Sequence, residues 1–411
     1  MRLRSELVIL FTVFVTLVVC YGVWYSYSVF LVALIRELGW SRSLVAGAFS
    51  FFVLTHGACS PAVGWLLRRV GSRRVLVAGG LVLGVGLLLA AETQQSWQLY
   101  LGYGVVAAIG MSLAGWVPAV VLVRGWFPDR VGSAMGIASA GIGVGILGFV
   151  PLTQLLIDWW GWRWAFRIHA LFVVTWLIPS TYWLVQDPPS ANPQAERSTS
   201  SAGSPHWTLP AAIRTKRFWL LAGVYFTGNF VTQMLLIHQV AYLVDHGVSP
   251  IQAATVGGAV GLVSIGAKVG WGALSDRVGR ELVSALAFTA VVGSLGTLVL
   301  AGWYPNAWLL YGYAVFIGLG YGVLSPVFPA SASDLFGGPG FPTIYGALYS
   351  VICLGLAGGA WAAGKAFDWT GTYAPALWLG LVMALLAPSL MWLAAPRQPN
   401  PPRPVSDAVN R

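Results

Sequence analysis

Charged residues are scarce in this sequence. Asp, Glu, Lys and Arg make up 9% of its 411 residues, whereas a soluble globular protein carries about 25%. Hydrophobic residues make up 57%, and the chain holds 21 tryptophans and 50 glycines. This composition excludes a disordered chain and a soluble enzyme. It predicts an all-α membrane protein with many spans.

Cysteines and clustered metal ligands are also scarce. The three cysteines, Cys20, Cys59 and Cys353, lie far apart in apolar runs and form no CxxC pair. We therefore expect neither a disulfide framework nor a metal site. The glycine-rich stretches have no GK[ST] sequence and no strand before them, so no cofactor and no ATP-driven step are expected.

Apolar stretches long enough to cross a bilayer occur twelve times. A hydrocarbon core of about 30 Å requires about 20 residues of helix. The predicted spans are 7–34, 43–67, 75–91, 98–123, 133–158, 165–185, 218–244, 252–275, 282–302, 307–330, 342–365 and 374–395. A Pro- and Ser-rich linker at 186–216 separates a six-helix bundle at 1–185 from another at 217–396, and a tail follows at 397–411.

Basic residues are distributed unevenly between the two predicted sides. The side with both termini and the linker carries 17 of the 23 lysines and arginines, the opposite side carries 5, and Lys268 remains inside a span. Cytoplasmic loops are enriched in Lys and Arg, so we predict a multi-pass inner-membrane protein with both termini in the cytoplasm. Topology thus accounts for the net charge of +10, and no nucleic-acid partner is expected.

The two halves share repeated motifs. Residues 64–74 read GWLLRRVGSRR and residues 272–281 read GALSDRVGRE, so Gly64 and Gly71 each precede a matching glycine by 208 residues. WFPDRVGSAMG at 126–136 matches LFGGPGFPTIYG at 335–346 with an offset of 209 at the phenylalanines. Two related six-helix bundles are typical of secondary transporters, whose substrate site lies between the halves near the midplane.

These motifs resemble the major facilitator superfamily over essentially the whole chain. GALSDRVGR resembles the family's G-x-L-x-D-R-x-G-R loop between helices 8 and 9. The resemblance implies two pseudo-symmetric six-helix bundles and a gating role for this loop and its first-half copy. The implied gating residues are Asp276, Arg277, Arg280, Gly64 and Gly71. In the first-half copy, Arg68 and Ser72 stand where the family pattern has Asp and Arg, and a loop that only fixes topology is the alternative.

Three further stretches narrow the resemblance to monocarboxylate porters and oxalate/formate antiporters. They read YGVWYSYSVFLVALIRELGWSRS, RGWFPDRVGSAMGIASAGIGVG and GWRWAF. Those families carry a basic residue in helix 8 that binds a substrate carboxylate, which implies this role for Lys268. The porters place an acid one turn earlier, where this chain has Ser264. The antiporters have a second basic residue inside helix 11, where this chain has only Lys365 near the outer end.

Lys268 is also conspicuous without the resemblance. All thirteen acidic residues lie in loops or at helix ends, so no internal partner is evident. An ammonium inside the bilayer costs on the order of 3 kcal/mol or more and usually faces the bundle interior; a snorkelling lysine or a partner not evident from the sequence is the alternative. An unpaired cation favours an anionic substrate, and one positive charge favours a monocarboxylate. Because an apolar site disfavours the charged ammonium, a proton could bind together with the anion, and protons as a second partner are left open.

The repeat offset adds further candidate site residues. Subtracting 208 maps Lys268 onto Ser60 and Ser264 onto His56. His56 is either a proton carrier or substrate hydrogen-bond donor, or the partner of an interhelical hydrogen bond near Thr55 or Ser60.

Other polar and aromatic residues follow from the same mapping. The pairs Tyr21 with Asn229 and Tyr25 with Gln233 either line the cavity or join helices. The aromatic walls would be supplied by Trp116, Tyr321, Tyr345 and Tyr349. His169 and His238 lie nearer the outer ends, and we interpret both as structural.

The predicted function is secondary active transport of small organic monocarboxylates by alternating access. The expected partners are the small organic anion and the lipid bilayer, and the expected unit is a functional monomer. The alternative is an efflux transporter for a larger anionic or neutral compound. A membrane sensor is disfavoured because both termini are short, and a membrane enzyme because only His56 and Lys268 are candidate chemical groups at membrane depth.

Overall fold

The computed structural model describes residues 2–127, 131–186, 207–337 and 341–394. Regular secondary structure in these ranges is helical. The membrane-spanning helices are α1 (Arg2–Leu38), α2 (Arg42–Val70), α3 (Ser72–Ala91), α4 (Ser96–Trp126), α5 (131–160), α6 (162–184), α7 (Lys216–Asp245), α8 (Pro250–Val278), α9 (Arg280–Trp303), α10 (Ala307–Phe336), α11 (Phe341–Thr370) and α12 (Ala374–Ala394). A short helix at Leu209–Ile213 precedes α7, whereas most of the predicted linker and the predicted tail lie outside the described residues.

Helices α5 and α6 form one run, Val131–Leu184, that is bent at Gly161. Gly161 has φ 80° and ψ 164°, a conformation that glycine adopts without steric cost. The sequence predicts a loop between 158 and 165, and the structure makes this turn at a single residue. Counted with this turn, the described ranges contain twelve spans of sufficient length and apolarity, which confirms the predicted all-α fold.

Local sequence explains where several helices begin and end. The side chains of Ser41, Thr215 and Ser249 accept hydrogen bonds from the first-turn N–H groups of α2, α7 and α8. Gly71 and Gly279 have φ values of 88° and 98° and make the tight turns after α2 and α8. These glycines are the matching positions of the repeated motif, so the two halves share this turn.

The chain crosses from one face of the bundle to the other with each span. We call the face where α1 begins and α12 ends the terminal face. The face where α1 ends at Leu38 and α2 begins at Arg42 is the far face. The two halves, α1–α6 and α7–α12, meet mainly where α2 packs against α11 and α5 against α8, and α1 also contacts α7.

The halves are in close contact in the middle and separate toward the terminal face. A Cβ atom added to Gly57 of α2 would lie 2.6 Å from Cys353 Sγ of α11. Gly64 and Gly346 lie two turns closer to the terminal face on the same helix faces, and a Cβ there would meet no described atom within 4 Å. On α5, Gly143 packs against α8 at Gly261. A Cβ atom added to Gly136, two turns closer to the terminal face, would meet no described atom within 4 Å. The space between the halves therefore widens from the centre toward the terminal face.

Candidate functional site

Lys268 lies on α8 at the boundary between the halves. Its side chain is buried, with 7% relative exposure, and Nζ has no hydrogen-bond partner among the described residues. The ring of Tyr321 on α10 faces it, with Nζ 5.0 Å from the ring centroid. An isolated buried ammonium is energetically costly. The described residues therefore leave this ammonium without the compensation that a buried charge requires.

Tyr321 connects Lys268 to the first half of the molecule. Its hydroxyl lies 2.8 Å from the hydroxyl of Tyr25 on α1, and the pair is buried. Tyr25 is packed in turn against Tyr21, with ring centroids 6.4 Å apart. Three of the predicted site residues thus form a continuous aromatic group that reaches Lys268 from α1.

Trp24 belongs to the same group, although the sequence analysis does not single it out. It stacks on Tyr21 at a centroid distance of 5.7 Å, and its buried indole N–H has no partner within the described ranges. Residues 21, 24 and 25 have the i, i+3, i+4 spacing of one helix face. That spacing is the signal that identifies Trp24 once Tyr21 and Tyr25 are selected.

His56 on α2 contacts both α4 and α11. Its Nδ1 lies 3.0 Å from Ser112 Oγ on α4, an interhelical hydrogen bond with a partner other than Thr55 or Ser60. Its Nε2 faces Tyr349 Oη on α11 at 3.5 Å, across the boundary between the halves. The ring also meets Trp24 edge-on at 5.5 Å, which links His56 to the aromatic group on α1.

The other predicted residues are less directly connected to Lys268. Asn229 is buried and donates to the carbonyl of Tyr225 in its own helix, 2.8 Å away. Ser264 donates to the Gly261 carbonyl at 2.8 Å. Gln233 is buried, and its Nε2 has no partner among the described atoms.

Two aromatic candidates are half-buried at the edge of this region. Trp116 follows a break in α4 at Gly115 and packs against the core. Tyr345 stacks on Phe341 at the start of α11, with ring centroids 5.6 Å apart.

The predicted gating residues lie at the terminal face. Arg280 bonds Asp276 at 2.6 Å and Asp334 at 3.1 Å, so it connects α8, α9 and α10 within the second half. Arg277 and Asp276 are exposed. In the first half, the copy of the motif uses Arg73, whose Nε donates to the Val185 carbonyl at 2.9 Å.

A cluster at the far face is not predicted by the sequence. Arg42 at the start of α2 pairs with Asp245 of α7 at 2.8 Å and donates to the Tyr373 hydroxyl at 2.8 Å. Its guanidinium carbon lies 3.8 Å from the ring centroid of Phe367. The carboxylate of Asp368 accepts the N–H of Arg42 at 3.0 Å and of Ser43 at 2.9 Å. We call Arg42, Asp245, Phe367, Asp368 and Tyr373 the far-face gate, because these contacts join the halves.

The gate residues are distant in sequence and give no local signal. Arg42 and Asp368 are separated by 326 residues. A second contact of this type, from Ser50 Oγ to the Ala357 carbonyl at 2.7 Å, joins α2 to α11 between the gate and the centre.

A groove of about 370 Å³ lies elsewhere, on the flank formed by α1, α5 and α6. Apolar residues dominate its lining, and no titratable side chain contributes to it. We therefore place the candidate site at Lys268 and its neighbours.

Comparisons with known proteins agree with this architecture. The profile of the Major Facilitator Superfamily matches residues 13–341 and 271–409. The uncharacterized MFS-type transporter YhjX of Escherichia coli is 26% identical over 79% of this chain and 79% of its own. Human monocarboxylate transporter 2 is 27% identical over 80% of this chain and 73% of its own. The oxalate:formate antiporter of Oxalobacter formigenes is 26% identical over 77% of this chain and 74% of its own.

The family match covers most of the chain, and the described helices provide the required spans. The resemblance inferred from the motifs is thereby confirmed. The chain belongs to the Major Facilitator Superfamily and is a multi-pass membrane transporter rather than an enzyme.

Proposed function

We propose that this transporter carries small organic monocarboxylates and that Lys268 neutralises the carboxylate. The observation that carries the proposal is the buried ammonium of Lys268, which has no hydrogen-bond partner in the part of the chain that the structure describes. A carboxylate bound there would restore the interaction that the ammonium lacks, and a hydrogen bond to a charged group contributes about 1.5–3 kcal/mol. The names of the relatives, which include a monocarboxylate transporter and an oxalate:formate antiporter, support the same substrate class.

The charge at the site favours one carboxylate over two. Lys268 is accompanied by the neutral Ser264 one turn earlier. Lys365 of α11 lies near the far face, with its Nζ 4.9 Å from the ring centroid of Trp369. If a dicarboxylate bound with one carboxylate at Lys268, its second carboxylate would have no described cation beside it.

Neighbouring groups would orient the substrate. Trp24 and Gln233 each have a buried N–H group that bonds to no described atom, and both can donate to a carboxylate oxygen. Tyr25 and Tyr321 connect the halves beside Lys268, so a bound anion would affect the contact that closes the centre. We assign His56, Asn229 and the half-buried aromatics to the periphery of this site.

Orientation and coupling complete the proposal. The distribution of basic residues supports a cytoplasmic terminal face in the inner membrane, with two bundles joined by the linker in one functional monomer.

The described acidic residues lie at helix ends. A proton carried with the substrate would therefore bind at Lys268 itself, and the cluster of Asp276, Arg280 and Asp334 would act as a terminal-face gate.

Uptake into proteoliposomes tests the proposal. Purified wild-type protein, Lys268→Ala and the matched control Lys365→Ala are compared with labelled lactate, pyruvate, acetate, formate and oxalate, with and without a pH gradient. We expect saturable monocarboxylate uptake that falls about 100-fold in Lys268→Ala, because a charged hydrogen bond is lost. Lys365→Ala should transport as the wild type does.

Either of two outcomes would contradict the proposal. Uptake that is indifferent to Lys268→Ala would remove Lys268 from the site. No uptake of any panel member would favour export of a larger anionic or neutral compound. Stimulation by an inward proton gradient would distinguish symport from exchange.

A further inference from the structure

The far-face gate continues into the second half through a buried histidine. His238 of α7 lies with Nε2 2.8 Å from the carbonyl of Ala360 and with Nδ1 3.0 Å from the hydroxyl of Tyr373. Tyr373 accepts a hydrogen bond from Arg42 at 2.8 Å. One hydroxyl oxygen therefore lies between an imidazole and a guanidinium.

These contacts determine the protonation of His238 in the closed gate. A carbonyl oxygen only accepts, so Nε2 must carry a proton and donate it to Ala360. In a neutral imidazole the other nitrogen is then an acceptor, and Tyr373 donates to Nδ1. In the order Arg42, Tyr373, His238 and Ala360, each group donates a hydrogen bond to the next.

A second proton on His238 would break this order. Nδ1 would become a donor, and the Tyr373 hydroxyl would lose its acceptor while it faces two cations. Little water could compensate, because the cavity beside His238 measures about 10 Å³, which is at most the size of one water molecule. The closed gate therefore disfavours the charged imidazole.

Other groups around His238 do not reverse this balance. Residues from α9 and α12 in the adjoining cavity are the apolar Leu298, Ala376 and Leu377. The charged or titratable groups near it are Arg42 from α2, Asp368 from α11, Tyr373 from the loop before α12, and Tyr242, Asp245 and His246 from its own helix end. The carboxylates of Asp245 and Asp368 are already engaged with Arg42 or the α2 N-terminus.

We propose that His238 is a proton-binding site that controls the far-face gate. The proton binds when the halves separate at the far face and His238 gains access to water. It is excluded when the gate closes, so acid at the far face favours the open gate. The proposal concerns regulation and is independent of the substrate at Lys268.

Linkage sets the size of the effect. An imidazole in water titrates near pH 6.5. If only the open state binds the proton, the open-to-closed ratio rises about tenfold between pH 7.5 and pH 5.5.

Distance measurement by pulsed electron paramagnetic resonance tests this without any substrate. Spin labels are placed at Arg36→Cys in the first half and Gln252→Cys in the second, two exposed positions near the far face. Cys20, Cys59 and Cys353 are replaced by alanine in this background. With the wild-type gate, the ratio of long to short distances between the labels should be about tenfold higher at pH 5.5 than at pH 7.5. In His238→Gln the distribution should be independent of pH.

Matched variants identify the residue responsible. His246→Gln removes a half-buried histidine on the same helix end, and His169→Gln removes a buried histidine of the first half. Both should keep the tenfold response. Tyr373→Phe keeps His238 but cuts its hydrogen-bond connection to Arg42, so the response should fall below about threefold.

The proposal is overturned if the wild-type distribution does not change with pH. It is equally overturned if His238→Gln responds as the wild type does. Should His238→Gln not fold, an unchanged tenfold response in Tyr373→Phe would contradict the proposal. Loss of the response in His246→Gln would also contradict it, because the proton would then bind His246 rather than His238.

Discussion

Two cations at the boundary between the halves have opposite surroundings. Arg42 at the far face has a carboxylate, a tyrosine hydroxyl and an aromatic ring as partners. Lys268 in the centre faces one aromatic ring at 5.0 Å, and its Nζ lacks a hydrogen-bond partner in the described chain. Arg42 is thus satisfied by the other half of the protein, and under the proposed function Lys268 is satisfied by the substrate.

This difference separates a gate from a binding site. The contacts of Arg42 exist only while the far face is closed, so their free energy sets the ratio of open to closed states. Under the proposed function, Lys268 contacts an anion only while substrate is bound, so the free energy of that contact sets affinity. Giving Lys268 a partner, or taking partners from Arg42, should therefore affect different measurements.

Ser264→Glu should have the largest effect, because it supplies Lys268 with an internal anion. A glutamate four residues before a lysine is the favourable orientation for a helical ion pair. Within the proposed function, monocarboxylate uptake at pH 7.5 should fall about 100-fold, since the new carboxylate competes with the substrate for a charged hydrogen bond. Lowering the pH should recover part of the uptake as the glutamate becomes protonated.

The neutral variant Ser264→Gln is the control, because glutamine has nearly the same volume as glutamate and carries no charge. It should keep most of the uptake at pH 7.5. Equal uptake by Ser264→Glu and Ser264→Gln would show that charge compensation at Lys268 does not govern substrate binding.

Arg42→Gln should have the second largest effect, and on conformation rather than affinity. The substitution removes an ion pair, a hydrogen bond to Tyr373 and a cation–π contact, together worth about 2 kcal/mol. The open-to-closed ratio at the far face should rise about thirtyfold, measured by the same spin-label distances. Arg167→Gln is the control, because its partner Glu92 belongs to the same half and that ion pair is also at the far face. A comparable rise in both variants would mean that any lost far-face ion pair, and not the link between halves, opens the structure.

The same two cations show what could be predicted from the sequence. Lys268 is identifiable because a charge in a long apolar run violates the composition of a span, and the window around it is enough to see the conflict. The twelve spans and the repeated turn at Gly71 and Gly279 follow from equally local patterns. His56 is found through the repeat offset, which relates distant positions by a single number.

Arg42 could not be identified in this way. A basic residue at the start of a helix is unremarkable, and its partners lie 203 and 331 residues away. Tertiary packing alone brings them together. For the same reason the sequence places His238 among structural residues, since its link to Arg42 passes through Tyr373 in a distant loop. Trp24 was missed for a different reason, because one more aromatic residue in an aromatic-rich span is not distinctive.

Asp368→Asn should have the smallest effect, and it tests how much the Asp368 carboxylate contributes to the gate. Asp368 lies at the end of α11 and accepts the first N–H groups of α2, where the helix dipole is positive. Asparagine keeps one acceptor oxygen but removes the charge, which is worth about 0.5–1 kcal/mol at an exposed helix end. The open-to-closed ratio should therefore rise only about twofold to fivefold. The rise should shrink in high salt, because exposed charges are screened over about 10 Å at 0.1 M ionic strength. A change as large as that of Arg42→Gln would mean that Asp368, and not the arginine, carries the gate, and the contrast with Lys268 would then rest on a carboxylate at a helix end.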